Sequence, residues 1–145
     1  EDRGVEVTES KTRQSADFRS LVTVTVRDGD DELSVCGTLF ADDDPRVVRI
    51  DGYRVDARPY GEALVVRNQD KPGVIGFIGS VLGDAEVNIA GMYNARETRG
   101  GEALTVYNLD DPVTDDVLAE LSEDDRIVEA TRISLDQDDT ESRRP

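Results

Sequence analysis

The sequence predicts an α+β protein in two parts: a mainly β segment over residues 1–60, then a β-α-β-β-α-β unit over residues 62–136, with a frayed polar tail over 137–145. Three observations carry this. Up to residue 60, apolar residues alternate in short runs broken by Asp/Gly turns, the period of strands with one buried face. From residue 62, strand-like runs alternate with two segments whose apolar residues recur at helical spacing. Pro72 and Pro112 stand at the starts of those two segments, where a missing N–H costs nothing.

Residues 1–19 are polar with weak periodicity and are assigned no element. Leu21 to Val26 alternates with β-branched residues and predicts a strand. Asp28-Gly29-Asp30-Asp31 is a turn, and Glu32 to Ala41 returns from it. Asp42-Asp43-Asp44-Pro45 breaks the chain before a short strand, Arg46 to Ile50. Asp51-Gly52 is a strong two-residue hairpin turn, and Tyr53 to Asp56 is the returning strand. Arg58-Pro59-Tyr60-Gly61 reads as a linker, so the first part has about four strands.

Glu62 to Asn68 is a nearly continuous apolar run and predicts a central strand. A helix follows Asp70-Lys71-Pro72-Gly73, with Val74, Phe77, Ile78, Val81 and Leu82 on one stripe. Val87 to Tyr93 is a strand, Arg99-Gly100-Gly101 a turn, and Ala103 to Tyr107 the next strand. Asp111 is read as an N-cap with Pro112 at the first helical position. Val113, Val117, Leu118 and Leu121 form the second helix's buried stripe, and Asp115, Asp116, Glu120 and Glu123 its solvated face. Arg126 to Leu135 is the last strand. Two such split units give a four-stranded antiparallel sheet with both helices on one face. The other face is expected to lack cover in one copy, which predicts self-association through this unit.

Composition excludes whole classes of chemistry. The 145 residues contain no His, so no Ser-His-Asp triad, Cys-His pair, His zinc site or His general base is available. Cys36 is the single cysteine, which rules out a disulfide framework or thiolate cluster within the chain. No catalytic residue and no metal site is assigned. No run of 18 apolar residues is present, so no transmembrane helix is expected, and the start, Glu1 to Gly4, is not a signal peptide. The balance of 33 acids against 17 bases, net −16, argues against nucleic acid and anionic membranes as partners. Only Lys11 and Lys71 are lysines. Abundant Asp and scarce Lys suit a cytosol at high salt, where screening removes carboxylate repulsion, so a halophilic, cytoplasmic protein is expected; the plainer alternative is an acidic protein from ordinary salt.

The glycines at 73, 76, 79 and 83 run G-x-x-G-x-x-G, not the G-x-G-x-x-G of a dinucleotide site, and are read as close packing of helix on sheet. The helix start remains of interest, because Gly73 and Val74 offer N–H groups at a positive dipole end. Asn68, Asp70 and Asn88 are the polar residues assigned to that region. Together they suit an α-amino acid: the carboxylate of Asp70 for the ammonium, the amides for polar groups, the helix end for the carboxylate. The competing reading makes Asp70 a helix cap and the asparagines turn formers. Arg46, Arg49, Arg54 and Arg58 concentrate positive charge around Asp51-Gly52, as a phosphate or polycarboxylate site needs, or as pairing with nearby carboxylates needs. Cys36 is read as a small core residue.

Asn68-x-Asp70-Lys71-Pro72-Gly73-Val74-Ile75-Gly76 with Val87-Asn88-Ile89-Ala90 resembles the ACT domain, a ferredoxin-like amino-acid-sensing module, over residues 62–136. Upstream, Cys36-Gly37-Thr38-Leu39-Phe40 with Pro45 to Tyr53, and Gly4-Val5 to Val26, resemble the intervening, or allosteric-substrate-binding, domain of long D-3-phosphoglycerate dehydrogenases. The tandem order makes the resemblance specific. It implies the C-terminal regulatory part of an NAD-dependent enzyme that oxidises 3-phosphoglycerate toward serine, beginning inside the intervening domain, with no cofactor in this piece itself. It implies L-serine, or a related small amino acid, bound between paired ACT domains at Asn68, Asp70 and Asn88, with position 68 varying among relatives. It also implies an anion or effector site at Arg46 and Arg58, with Arg46 where a relative has Lys. The alternatives are a stand-alone ACT-type sensor and a ligand-free oligomerisation module; an iron-sulfur serine dehydratase subunit would need cysteines this chain lacks.

Overall fold

The computed structural model describes residues 5–12, 20–40 and 43–135. They divide into two compact units, with the boundary between Pro59 and Tyr60.

The first unit is an antiparallel meander of five strands in sequential order: β1 (Val5–Thr12), β2 (Leu21–Asp28), β3 (Asp31–Phe40), β4 (Asp44–Ile50) and β5 (Tyr53–Ala57). β1 was not expected. It pairs along its full length with β2, Val7 opposite Val26 and Thr12 opposite Leu21. After Val5 and Val7 its residues are polar, so pairing and not burial defines it, and hydrophobic period could not reveal it. The Asp51-Gly52 turn forms as expected. Both residues are left-handed, φ 49° and 85°, the type I′ geometry that matches strand twist. Asp51 also accepts the Ser34 N–H through Oδ1 at 2.9 Å. Cys36 is only half-buried, with its sulfur 3.2 Å from Thr23 Oγ1. Ala41 and Asp42 lie outside the described residues.

The second unit has the expected order: β6 (Gly61–Gln69), α1 (Val74–Asp84), β7 (Ile89–Arg96), β8 (Glu102–Leu109), α2 (Asp115–Ser122) and β9 (Ile127–Leu135). The sheet runs β7-β8-β6-β9, every neighbouring pair antiparallel. β6 is internal, as its continuous apolar run demands. Leu64, Val66, Tyr107 and Leu109 from one sheet face join Val74, Ile78, Val81 and Leu82 of α1 and Val117 and Leu121 of α2 in one buried cluster, so both helices lie on that face. On the other face the expectation of missing cover holds for the rim alone. Tyr93, Ile133 and Leu135 are exposed, whereas Ala63, Leu104 and Val106 at its centre are buried. The tail over 137–145 lies outside the described residues.

Three local readings are corrected. Pro72 and Gly73 precede α1 in a turn, with Gly73 as a left-handed N-cap at φ 89°; proline sits before the helix and not in its first turn. α2 is capped by Thr114, whose hydroxyl accepts the Val117 N–H at 3.3 Å. Asp111 and Pro112 lie in the approach, and Val113 and Leu118 take the two positions of a hydrophobic staple around that cap. The α1 glycines do not pack closely: a methyl group added at Gly76, Gly79 or Gly83 meets nothing within 4 Å. The contact with the sheet is made by the Val74/Ile78/Val81/Leu82 stripe, and the glycines face away from it.

The Tyr107 hydroxyl is buried and makes no hydrogen bond of ordinary geometry; burial pushes the phenol up to about 12, against a smaller downward pull from the neighbouring Thr105 hydroxyl. The unfolded phenol ionises near 10. Folding therefore keeps its full stability below pH 10 on this account and loses it between about 10 and 12. Tyr107→Phe is expected to match or exceed wild type at neutral pH, by up to about 1 kcal/mol, and to blunt the alkaline loss. Thermal melts at pH 7 and pH 11 check this; a large loss at pH 7 would mean the hydroxyl has a partner.

Candidate functional site

The end of β6, the start of α1 and the β7–β8 turn converge. Asp70 N–H donates to Gly101 O at 2.8 Å. The Asp70 carboxylate accepts from Arg96 Nη1 at 2.7 Å and from the Gly100 N–H at 3.1 Å, both at Oδ2. These bonds, with Arg96 first, hold the Asp70 carboxyl below its ordinary value. Asp70 is therefore not a helix cap: no side chain caps α1, and no acidic residue lies in its first turn. Its dipole end is left for another anion.

Asn68 lies near the end of β6, two residues before Asp70. It is buried, its Nδ2 donates to Gln69 O at 2.7 Å, and its Oδ1 has no partner. A buried amide oxygen without a donor costs free energy, which makes it a natural acceptor for a ligand N–H or O–H. Val74 N–H points at Lys71 O over a long 3.4 Å, so it is a weaker ligand group than expected.

Arg126 fixes this turn from β9's approach. It pairs with both oxygens of Asp124, Nε at 2.9 Å and Nη2 at 2.7 Å. It reaches Pro72 O at 3.5 Å and lies 5.9 Å from the Phe77 ring centroid. The same guanidinium holds the Asp124 carboxyl down to about 2. Stability from this pair is thus present above the ordinary carboxylate range and lost as pH falls from about 4 toward 2.

Asn88 is not part of this cluster. It precedes β7, where Asp110 N–H donates to its carbonyl at 3.1 Å and its Nδ2 donates to Asp110 Oδ2 at 2.7 Å. Gly101, beside Asp70, and Asp110, beside Asn88, bracket β8. The two candidate residues are therefore separated by nearly the whole strand, roughly 30 Å. β6 and β7 both run antiparallel to β8, so the start of β7 lies at the end of the sheet opposite the end of β6. Of the two placements open to Asn88, on the neighbouring strand of the same copy or on a partner copy, the topology disfavours the first.

In the basic concentration of the first unit, Arg46 follows the pairing alternative. Arg46 is committed to two carboxylates, Asp44 at 3.0 Å and Asp56 at 2.9 Å, and lies over the Phe40 ring. It borders an apolar groove of about 260 Å³ along Val22, Gly37, Leu39 and Pro45. Arg58 is exposed, and Arg49 faces Arg54 directly across the β4–β5 hairpin. Arg96, Gly100 and Arg126, which surround the candidate site, were not singled out from the sequence. They lie 26 or more positions from Asp70, and only the strand register of the second unit would have brought them to it.

Among the described residues no helix is long and apolar enough to cross a membrane. Residues 1–51 match the family model of the D-3-phosphoglycerate dehydrogenase intervening domain, and residues 63–126 match that of the ACT domain. The two matches lie in tandem, the intervening-domain match first and the ACT match second. Over 136 residues, 92% of its length, it is 37% identical to D-3-phosphoglycerate dehydrogenase of Archaeoglobus fulgidus. It is 31% identical over 134 residues to that of Bacillus subtilis, and 35% identical over 118 residues to that of Mycobacterium tuberculosis. It spans 26%, 26% and 22% of those proteins.

Proposed function

We propose that this chain is the regulatory region of a D-3-phosphoglycerate dehydrogenase, binding L-serine as a feedback effector between two ACT domains. In this reading residues 1–60 are part of the intervening domain, 62–136 the ACT domain, and 137–145 a tail. The implied parent is cytoplasmic and oxidises 3-phosphoglycerate with NAD on domains outside these residues. The glycine spacing at the start of α1 does not fit that nucleotide, and no step of the oxidation is assigned to this chain.

The observation that carries the proposal is the Asp70 cluster: a carboxylate, an orphaned buried amide oxygen and an uncapped helix start, brought together at one sheet end. The ammonium of serine goes to Asp70, whose Oδ1 is not used by Arg96 or Gly100. Asn88 is too far away in the same copy, so it serves the site of a second copy. A ligand held by two copies stabilises their paired arrangement, and that differential affinity is what regulates. The Asp70–Arg96 ion pair, made without a ligand, favours the other reading, a ligand-free assembly module.

Calorimetry with millimolar L-serine in high salt tests the proposal. Heat is expected from wild type and from Asp115→Ala, since Asp115 is on the solvated face of α2 and pairs with Arg132. No heat from wild type would favour the assembly module. The halophilic reading predicts melts that rise from dilute buffer to molar KCl as self-repulsion among 33 acids is screened; a flat or falling melting temperature would contradict it. For Arg46 and Arg58 an anion site is proposed only with Asp44 and Asp56 displaced from Arg46.

A further inference from the structure

We propose that Arg96 reads the carboxylate of the effector, so that Asp70 and Arg96 together form a charge pair complementary to an α-amino-acid zwitterion. This rests on the Asp70 cluster being the effector site. Arg96 ends β7 and reaches Asp70 with Nη1 alone, at 2.7 Å. Its side chain is 50% exposed, that of Asp70 20%. Among the described residues its guanidinium makes no other ion pair or hydrogen bond, which leaves its remaining N–H donors uncommitted. A guanidinium is a fork, and one that spends a single edge on a protein carboxylate still presents donors matched to a second one.

The bond pattern on Asp70 fits the same ligand. Both of its bonds fall on Oδ2, which leaves Oδ1 for an ammonium. A ligand whose opposite charges stand on neighbouring atoms lies antiparallel along such a pair, each charge meeting its complement without breaking the pair. Asn68, two residues before Asp70, adds an unpartnered buried oxygen. The Gly100 N–H fixes the hairpin that carries Arg96, so the receptor is held in place before the ligand arrives. An ammonium without a carboxylate would gain only the Asp70 half.

The experiment is calorimetry on the whole chain in molar KCl at pH 6, below the α-amino range so that both ligands carry their ammonium. L-Serine is compared with L-serinamide, which lacks the carboxylate charge. Wild type is expected to prefer serine. Arg96→Gln should lose about 10- to 100-fold of serine affinity while holding serinamide as well as wild type does, and Arg96→Lys should recover part of the preference. An equal loss of both ligands in Arg96→Gln would make Arg96 a structural strut. An unchanged serine preference would assign the carboxylate to the α1 start. Either overturns the proposal while leaving the effector site standing. Wild type binding neither ligand overturns the effector reading and this one with it.

Discussion

Asp70→Ala is expected to lower the affinity for L-serine by roughly 10- to 150-fold, the removal of one charge-assisted partner at about 1.5–3 kcal/mol. The effect is largest here because the carboxylate has two duties. It is the only acid within the cluster of β6 end, α1 start and hairpin that meets Arg96 and Gly100, and it is the proposed partner of the ligand's ammonium. Truncation also leaves Arg96 without its partner, which adds positive charge where the ammonium should sit. Asn88→Ala is expected to weaken binding as well, although its partner in the same copy, Asp110, is far from Asp70. Titration of both variants beside Asp115→Ala checks this. Wild-type affinity in Asp70→Ala would remove Asp70 from the site.

Leu64→Ala is expected to be the most damaging core change. Leu64 is fully buried on β6, the internal strand flanked by β8 and β9, and belongs to the cluster shared with both helices. A buried Leu→Ala costs about 2–5 kcal/mol in lost transfer energy and residual cavity, out of the roughly 5–15 kcal/mol typical of a domain. A fall in melting temperature on the order of 10–20 °C follows for the second unit. Leu135→Ala, at the exposed rim of the opposite face, should barely move it. Comparable losses in the two variants would contradict the described core.

The second unit was largely legible because each of its elements buries a periodic stripe. Val74, Ile78, Val81 and Leu82 occupy positions that a sequence displays openly, and the continuous run in β6 announces an internal strand. β1 was not legible, since its residues after Val7 are polar and, among the described residues, its strand pairing is to β2. The start of α2 was misplaced because Asp111-Pro112 imitates a cap while Val113 is needed in the core. The site was legible as a set of residues and not as a geometry. Asp70 stands out in the sequence for its charge beside a helix start, but its partners Arg96 and Gly100 come from the far side of a hairpin. Asn88 was grouped with it on chemistry, and the crossover through α1 carries Asn88 to the opposite end of the sheet. The glycines of α1 look like close packing in sequence, yet nothing approaches them.

The central claim is that the effector site needs Asp70 from one copy and Asn88 from another. Mixing Asp70→Ala with Asn88→Ala chains, after dissociation and reassembly, tests it most directly. In a two-fold pair each mixed dimer regenerates one intact site and leaves one doubly broken, so random mixing should restore roughly a quarter of the wild-type high-affinity serine capacity, although neither variant alone shows any. A mixture that binds no better than its separate components would contradict the composite site.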